Sequence, residues 1–157
     1  MATEYELDMA TDLKTVQALE LLSRHISGLA LTWNGKDSDY LLGSTIEIDI
    51  NEPFRSWQQT LTKGFGFTPT LSVGFRFKNN TDFDTFSETM FQATMFLLQH
   101  AKDAVLLSNY ETTIMRRLGE QLIFNSNHQT WDDHWLKTHL ATTPFECRPL
   151  PSPLLYS

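Results

Sequence analysis

Acidic residues recur at two-residue spacing in two stretches of this 157-residue chain. Glu4, Glu6 and Asp8 alternate with Tyr5, Leu7 and Met9, and Glu47 and Asp49 alternate with Ile46, Ile48 and Ile50. That spacing puts alternate side chains of a strand on one face, so each set presents a row of carboxylates. A third row, Ser72, Arg76 and Lys78, alternates with Leu71, Val73, Phe75 and Phe77 and adds a basic margin. Such rows can meet a basic partner. General acid–base catalysis would need a carboxyl raised by burial, and the alternation makes these rows solvent-facing. The ordinary account of the same rows is a solvated sheet face with weak cross-strand ion pairs.

The remaining reactive side chains form no catalytic or metal-binding pattern. Of the histidines, His134 and His139 are five apart and share no helix face. His128, Asp132 and His134 cluster around a helix start without a fixed geometry, so no metal site is expected. The lone Cys147 lies in FECRP without a glycine-rich turn; it reads as a small buried thiol with no internal disulfide partner. Gly64-Phe65-Gly66 lacks the lysine of a phosphate loop. No catalytic residue and no cofactor are therefore expected. If the chain holds a small ligand instead, Arg55, Trp57 and Arg76 are the first candidates to line its pocket, beneath the irregular segment 51–68.

The elements that must position these residues follow from periodicity. Residues 4–9 form a strand, and Thr11 or Asp12 starts a helix whose stripe is Leu13, Val16, Leu19, Leu22 and Ile26. Strands follow over 29–33, 40–42 and 44–50, with Asn34-Gly35 as a hairpin turn. Segment 51–68 fits no period well; it reads as a linker or functional loop with a short helix near 54–61. The cleanest strand is 70–78. The most apolar helix is 81–102, capped by Thr81 and Asp84 and closed by Lys102, with Phe83, Phe86, Met90, Ala93, Leu97 and Ala101 on its core face. Three short strands (104–108, 112–118, 120–125) precede a last helix, 130–140, capped by Thr130 and Asp133. A proline-rich tail lies extended against the body.

Residues 4–50 and 70–125 thus share one element order without sequence identity. The expected fold is α+β: two β-α-β-β-β units forming a mostly antiparallel sheet, with helices packed on one face, plus a C-terminal helix and extended tail over 130–157. One domain spanning 1–157 is expected from the length. The formal charge is −7, from 12 Lys and Arg against 19 Asp and Glu, which argues against nucleic acid and suits a basic partner. No window approaches the roughly 18 apolar residues of a membrane span, and the N-terminus carries no signal pattern, so a cytoplasmic protein is expected.

Four stretches together carry a family likeness: EYELDMATDLKTVQALELL, PTLSVGFRF, LLQHAKDAVLLSN and FECRPLPSPLL. Over nearly its whole length the chain resembles the Sit-type immunity proteins of the swarming-inhibition toxin systems of myxobacteria. The resemblance implies a non-enzymatic cytoplasmic protein that binds and neutralises a cognate toxin. It carries over no binding residues. Glu4, Glu6, Asp8, Glu47, Asp49 and Arg76 are the partner-binding candidates because they share the polar sheet face. A small-ligand domain or enzyme using Arg55, Trp57 and Arg76, and an oligomeric structural protein, remain the alternatives; the sequence does not set the oligomeric state.

Overall fold

The computed structural model describes residues 4–33, 39–78 and 82–156. Its elements are β1 (Glu4–Thr11), α1 (Thr15–His25), β2 (Ala30–Trp33), β3 (Asp39–Leu42), β4 (Ile46–Asn51), α2 (Arg55–Phe65), β5 (Leu71–Phe77), α3 (Phe83–Leu98), β6 (Ala101–Ser108), β7 (Thr112–Leu118), β8 (Gln121–Asn125), α4 (Asp133–His139) and β9 (Glu146–Arg148). The last described residues form a 3-10 turn, Pro153–Tyr156. The fold is α+β: one open nine-stranded sheet, ordered β2-β3-β4-β5-β1-β6-β7-β8-β9. Every pairing is antiparallel except β8 with β9.

The repeated element order is present, as β1-α1-β2-β3-β4 and β5-α3-β6-β7-β8. The two units interlock at the centre of the sheet. β1 lies between β5 and β6 of the second unit, and β5 lies between β1 and β4 of the first. The meanders run in opposite senses: α1 leads to the edge strand β2, whereas α3 leads to β6 beside β1.

The inward rows of the central strands are apolar, as alternation predicts. Leu7, Met9, Ile46, Ile48, Leu71, Val73 and Phe75 are buried with α1, α3 and Leu136 of α4 in one core. Within it Phe86 is enclosed by the rings of Tyr5, Phe77 and Phe83 at 5.0–5.8 Å between centroids. Val16, expected in the α1 stripe, is exposed, and Ala18 is buried in its place. The helix starts one turn later than its first polar signal, after the Gln17 side chain accepts the Lys14 N–H at 2.8 Å.

Helix ends differ from the predicted caps in instructive ways. Thr81 lies outside the described residues, as does the Asn34-Gly35 turn; α3 is capped by Asp82, which accepts the Thr85 N–H at 3.0 Å. α4 is capped by Asp132, not Thr130, through the Trp135 N–H at 2.7 Å. α3 stops at Leu98, and Lys102 belongs to β6. The orphan carbonyl of Leu98 instead accepts from Arg117 Nη2 at 2.7 Å, and the same nitrogen donates to the Ala101 carbonyl.

One helix leaves the expected single layer. α2 packs on the opposite face, where Leu61 and Phe65, with Phe67, meet Val105 and Leu107 of β6 in a second, smaller core. Pro153 is buried, and Tyr156 lies against Gly64 and Phe65 of α2, while Leu154 and Leu155 of the tail stay exposed.

Phe86→Ala is expected to destabilise the protein by roughly 3–5 kcal/mol in denaturant titration, since a fully buried ring leaves a cavity among other rings. A loss below about 1 kcal/mol would place the main core elsewhere.

Candidate functional site

The cross-strand register of β4, β5, β1 and β6 decides which polar side chains meet under α2. On this face Glu47, Arg76 and Glu4 form one row, Asp49, Gly74 and Glu6 the next, and Asn51, Ser72 and Asp8 the third. Val105 and Leu107 continue the last two rows into the second core. The expected rows therefore exist, but they are not all solvated. Asp8 is fully buried and Glu6 is half-buried, because α2 lies over them.

Trp57 makes the contact. Its indole N–H is shared between Glu6 Oε2 and Asp8 Oδ2, 3.1 Å from each. Ser72 Oγ donates to Asp8 Oδ1 at 2.5 Å, and Tyr110 Oη donates to Glu6 Oε1 at 3.3 Å. Two carboxylates brought this close in a low-dielectric setting do not both ionise. Burial, then the Asp8 charge, pushes Glu6 up to about 9, and burial also raises Asp8. The pair therefore keeps a proton at neutral pH. Such a dyad can in principle serve acid–base chemistry. Here the indole N–H caps the shared oxygens, so the dyad anchors α2.

Tyr110 arrives from the β6–β7 turn by an uncommon backbone. Asn109 and Tyr110 have φ of 51° and 61°, a region that bulky side chains rarely adopt. Two bonds to Glu4 hold the turn: the Asn109 N–H donates to the Glu4 carbonyl at 2.8 Å, and Asn109 Oδ1 accepts the Glu4 N–H at 3.2 Å. The turn places the Tyr110 ring edge-on to Trp57, 5.4 Å between centroids. Burial and the neighbouring Glu6 push the Tyr110 hydroxyl up to about 12, so it stays a donor.

Beside this anchor the surface is concave. Glu6, Asp49, Gly74 and Tyr110 line two contiguous hollows, one of about 130 Å³ towards Glu4, Arg76 and Asn109 and one of about 780 Å³ towards Pro53, Phe54 and Trp57. The Phe54 ring on its rim is 84% exposed. Arg76 bridges Glu4 at 3.0 Å and Glu47 at 3.9 Å, neutralising its own row. Asp49, open to solvent on one side, accepts from Asn51 Nδ2 at 3.0 Å; burial by its surroundings raises its carboxyl, against the lowering effect of these donors and Arg76.

Of the partner-binding candidates, Glu4, Glu6, Asp49 and Arg76 line the cleft, Asp8 lies beneath it and Glu47 sits at its margin. Of the ligand-binding candidates, Trp57 and Arg76 line the cleft, and Arg55 lines neither hollow. Tyr110, Asn109 and Gly74 were not singled out from sequence. The glycine in a clean strand was the available signal. Among the described residues no His, Cys, Asp and Glu group has metal-site geometry. The Cys147 thiol is pushed up by burial and by Asp133, whose Oδ1 accepts from Sγ at 3.6 Å, against the lowering effect of the Lys137 charge.

Fold and site define a class of small α+β proteins whose open sheet carries an acidic, aromatic-walled cleft beside a docked helix. The profile of the SitI3-like family matches residues 3–135, and the chain belongs to that family, in accord with its resemblance to Sit-type immunity proteins. Comparisons with curated proteins and with solved structures gave no match.

The dyad fixes the sign of a pH dependence. Glu6 is raised above its ordinary value of 4.5, so its favourable contribution is complete below that pH and is lost as pH rises towards about 9. Glu6→Gln is expected to flatten this slope and to raise stability at pH 8 by about 1–2 kcal/mol, because the amide donates to Asp8 without a proton to lose. Trp57→Phe is expected to cost roughly 1–3 kcal/mol at the same pH. Denaturant unfolding across pH 4–9 reads both; an unchanged slope in Glu6→Gln would refute the shared proton.

Proposed function

We propose that this protein is an immunity protein: a non-enzymatic, cytoplasmic, single-domain inhibitor that binds a cognate bacterial toxin and neutralises it by occupation. The observation that carries this reading is family membership over residues 3–135. The site supports it in kind. Its dyad is capped by an indole, and its cleft offers aromatic walls and carboxylates, as an interface anchor region does. A net charge of −7 would speed association with a basic toxin and select against acidic partners. No helix among the described residues is long and apolar enough to cross a membrane.

A second reading is a small-ligand domain, favoured by the hollow of about 780 Å³ beneath Pro53, Phe54 and Trp57. Such a ligand would bind without any protein partner and would raise thermal stability in a metabolite screen.

Affinity capture on the full chain in its native host, with mass spectrometry, is expected to return one toxin in one-to-one complex. That toxin alone should arrest growth, and co-expression with this chain should relieve the arrest. Paired Glu47→Lys and Asp49→Lys changes are expected to weaken the complex at least about tenfold and to reduce its salt dependence. Growth arrest that co-expression leaves untouched rejects the immunity reading.

A further inference from the structure

The three polar rows under and beside α2 are built alike except at one position. In the first row Arg76 of β5 stands between Glu47 and Glu4 and bonds both. In the third, Ser72 of β5 stands beside Asp8 and donates to it. In the middle row the β5 residue is Gly74, so Asp49 and Glu6 face each other across a strand with no side chain. Their strands are two spacings apart, roughly 10 Å. The Asp49 carboxylate leans over the glycine, where a methyl group at Gly74 would collide with Asp49 Oδ1. The Glu6–Asp8 pair closes the other side, with Glu6 Oε1 turned towards Tyr110.

Above this gap the cleft is apolar. Trp57 and Tyr110 form an edge-on aromatic corner, and Phe54 stands exposed at the mouth. A cation approaching Gly74 would thus meet Asp49, the Glu6 Oε1 acceptor and two ring systems. A hydrocarbon stem behind it would lie along Trp57, Tyr110 and Phe54. That combination of charged tip and apolar stem is the chemistry of a long basic side chain. Arg76 already places a cation between two carboxylates one row away.

We propose that this hollow is a socket for one lysine or arginine side chain of a protein partner, the cation seated over Gly74 between Asp49 and Glu6 and its stem against Trp57, Tyr110 and Phe54. The proposal rests on the partner-binding reading above and names the group on the partner that the site would take. It also gives Gly74 a role: without a side chain there, Asp49 can lean across the strand, and the middle row carries no cation of its own where the neighbouring row carries Arg76.

The test uses the full chain, labelled with nitrogen-15, and three capped pentapeptides whose central residue is arginine, lysine or citrulline between glycines. The readout is the indole N–H resonance of Trp57, assigned from its loss in Trp57→Phe. The arginine and lysine peptides are expected to move that resonance saturably in the millimolar range. The uncharged citrulline peptide should bind at least about tenfold more weakly. Asp49→Asn should weaken the arginine peptide about fivefold or more, Gly74→Ala likewise, and Glu20→Gln on α1 should leave it unchanged. Equal binding of citrulline and arginine, or an unmoved Trp57 resonance, overturns the socket. If the basic peptides bind but the chain relieves no toxin, the socket stands and the immunity reading falls. If a toxin is neutralised but no basic peptide enters, the socket is wrong and the immunity reading survives.

Discussion

A carboxylate on the central strand of a sheet has to be covered, bonded and neutralised, and Asp8 is such a carboxylate. It is fully buried on β1, between β5 and β6. Ser72 from β5, the Trp57 indole from α2 and the proton held with Glu6 meet that demand together. An uncompensated carboxylate in such a place would cost several kcal/mol, which is why the groups around it are not interchangeable. α2 is held to the second face by this cluster at one end and by Leu61, Phe65 and Phe67 at the other. The 3-10 turn at Tyr156 then packs on α2 in turn.

The cleft is a by-product of how that cluster is assembled. α2 covers the third row of polar residues and, in the second, only the Glu6 end, leaving Gly74 and Asp49 open. Gly74 keeps the second row low, and the left-handed Asn109-Tyr110 turn raises an aromatic wall on the far side. Each component is a local choice of chain: a glycine in a strand, two positive φ angles in a turn, an indole at the third residue of a helix. Only the register of β4, β5, β1 and β6 brings them to one place. The acidic face is accordingly two surfaces, an anchored region under α2 and an open one beside it.

Much of this was legible in the sequence. Period-two alternation located β1, β4 and β5 and sorted their faces, and the apolar stripe of α3 located the main core. The repeated element order was visible because helix and strand periods differ so clearly. The placement of α2 was not. Trp57, Leu61 and Phe65 do recur at steps of four, but Pro53, Gly64 and Gly66 interrupt the segment, and the residues that receive α2, Val105 and Leu107, read equally well as the buried half of any strand. Once α2 is unplaced, Glu6 and Asp8 look like solvated carboxylates, since alternation says which face a residue shares and nothing about what covers that face. Tyr110 and Gly74 were missed for a related reason: their roles depend on strand order, which pairs residues about 30 to 100 apart.

The shared proton is the claim on which the anchor, the second helical layer and the cleft all depend. Carbon-13 resonances of the Glu6 and Asp8 carboxyl groups, followed by NMR through a pH titration of the intact protein, measure it directly. One proton should remain on the pair at neutral pH and leave only as the pH approaches about 9, with the Trp57 indole N–H resonance moving in step. Two carboxyl groups that both ionise near their ordinary values, 4.5 for Glu6 and 3.8 for Asp8, would contradict the account.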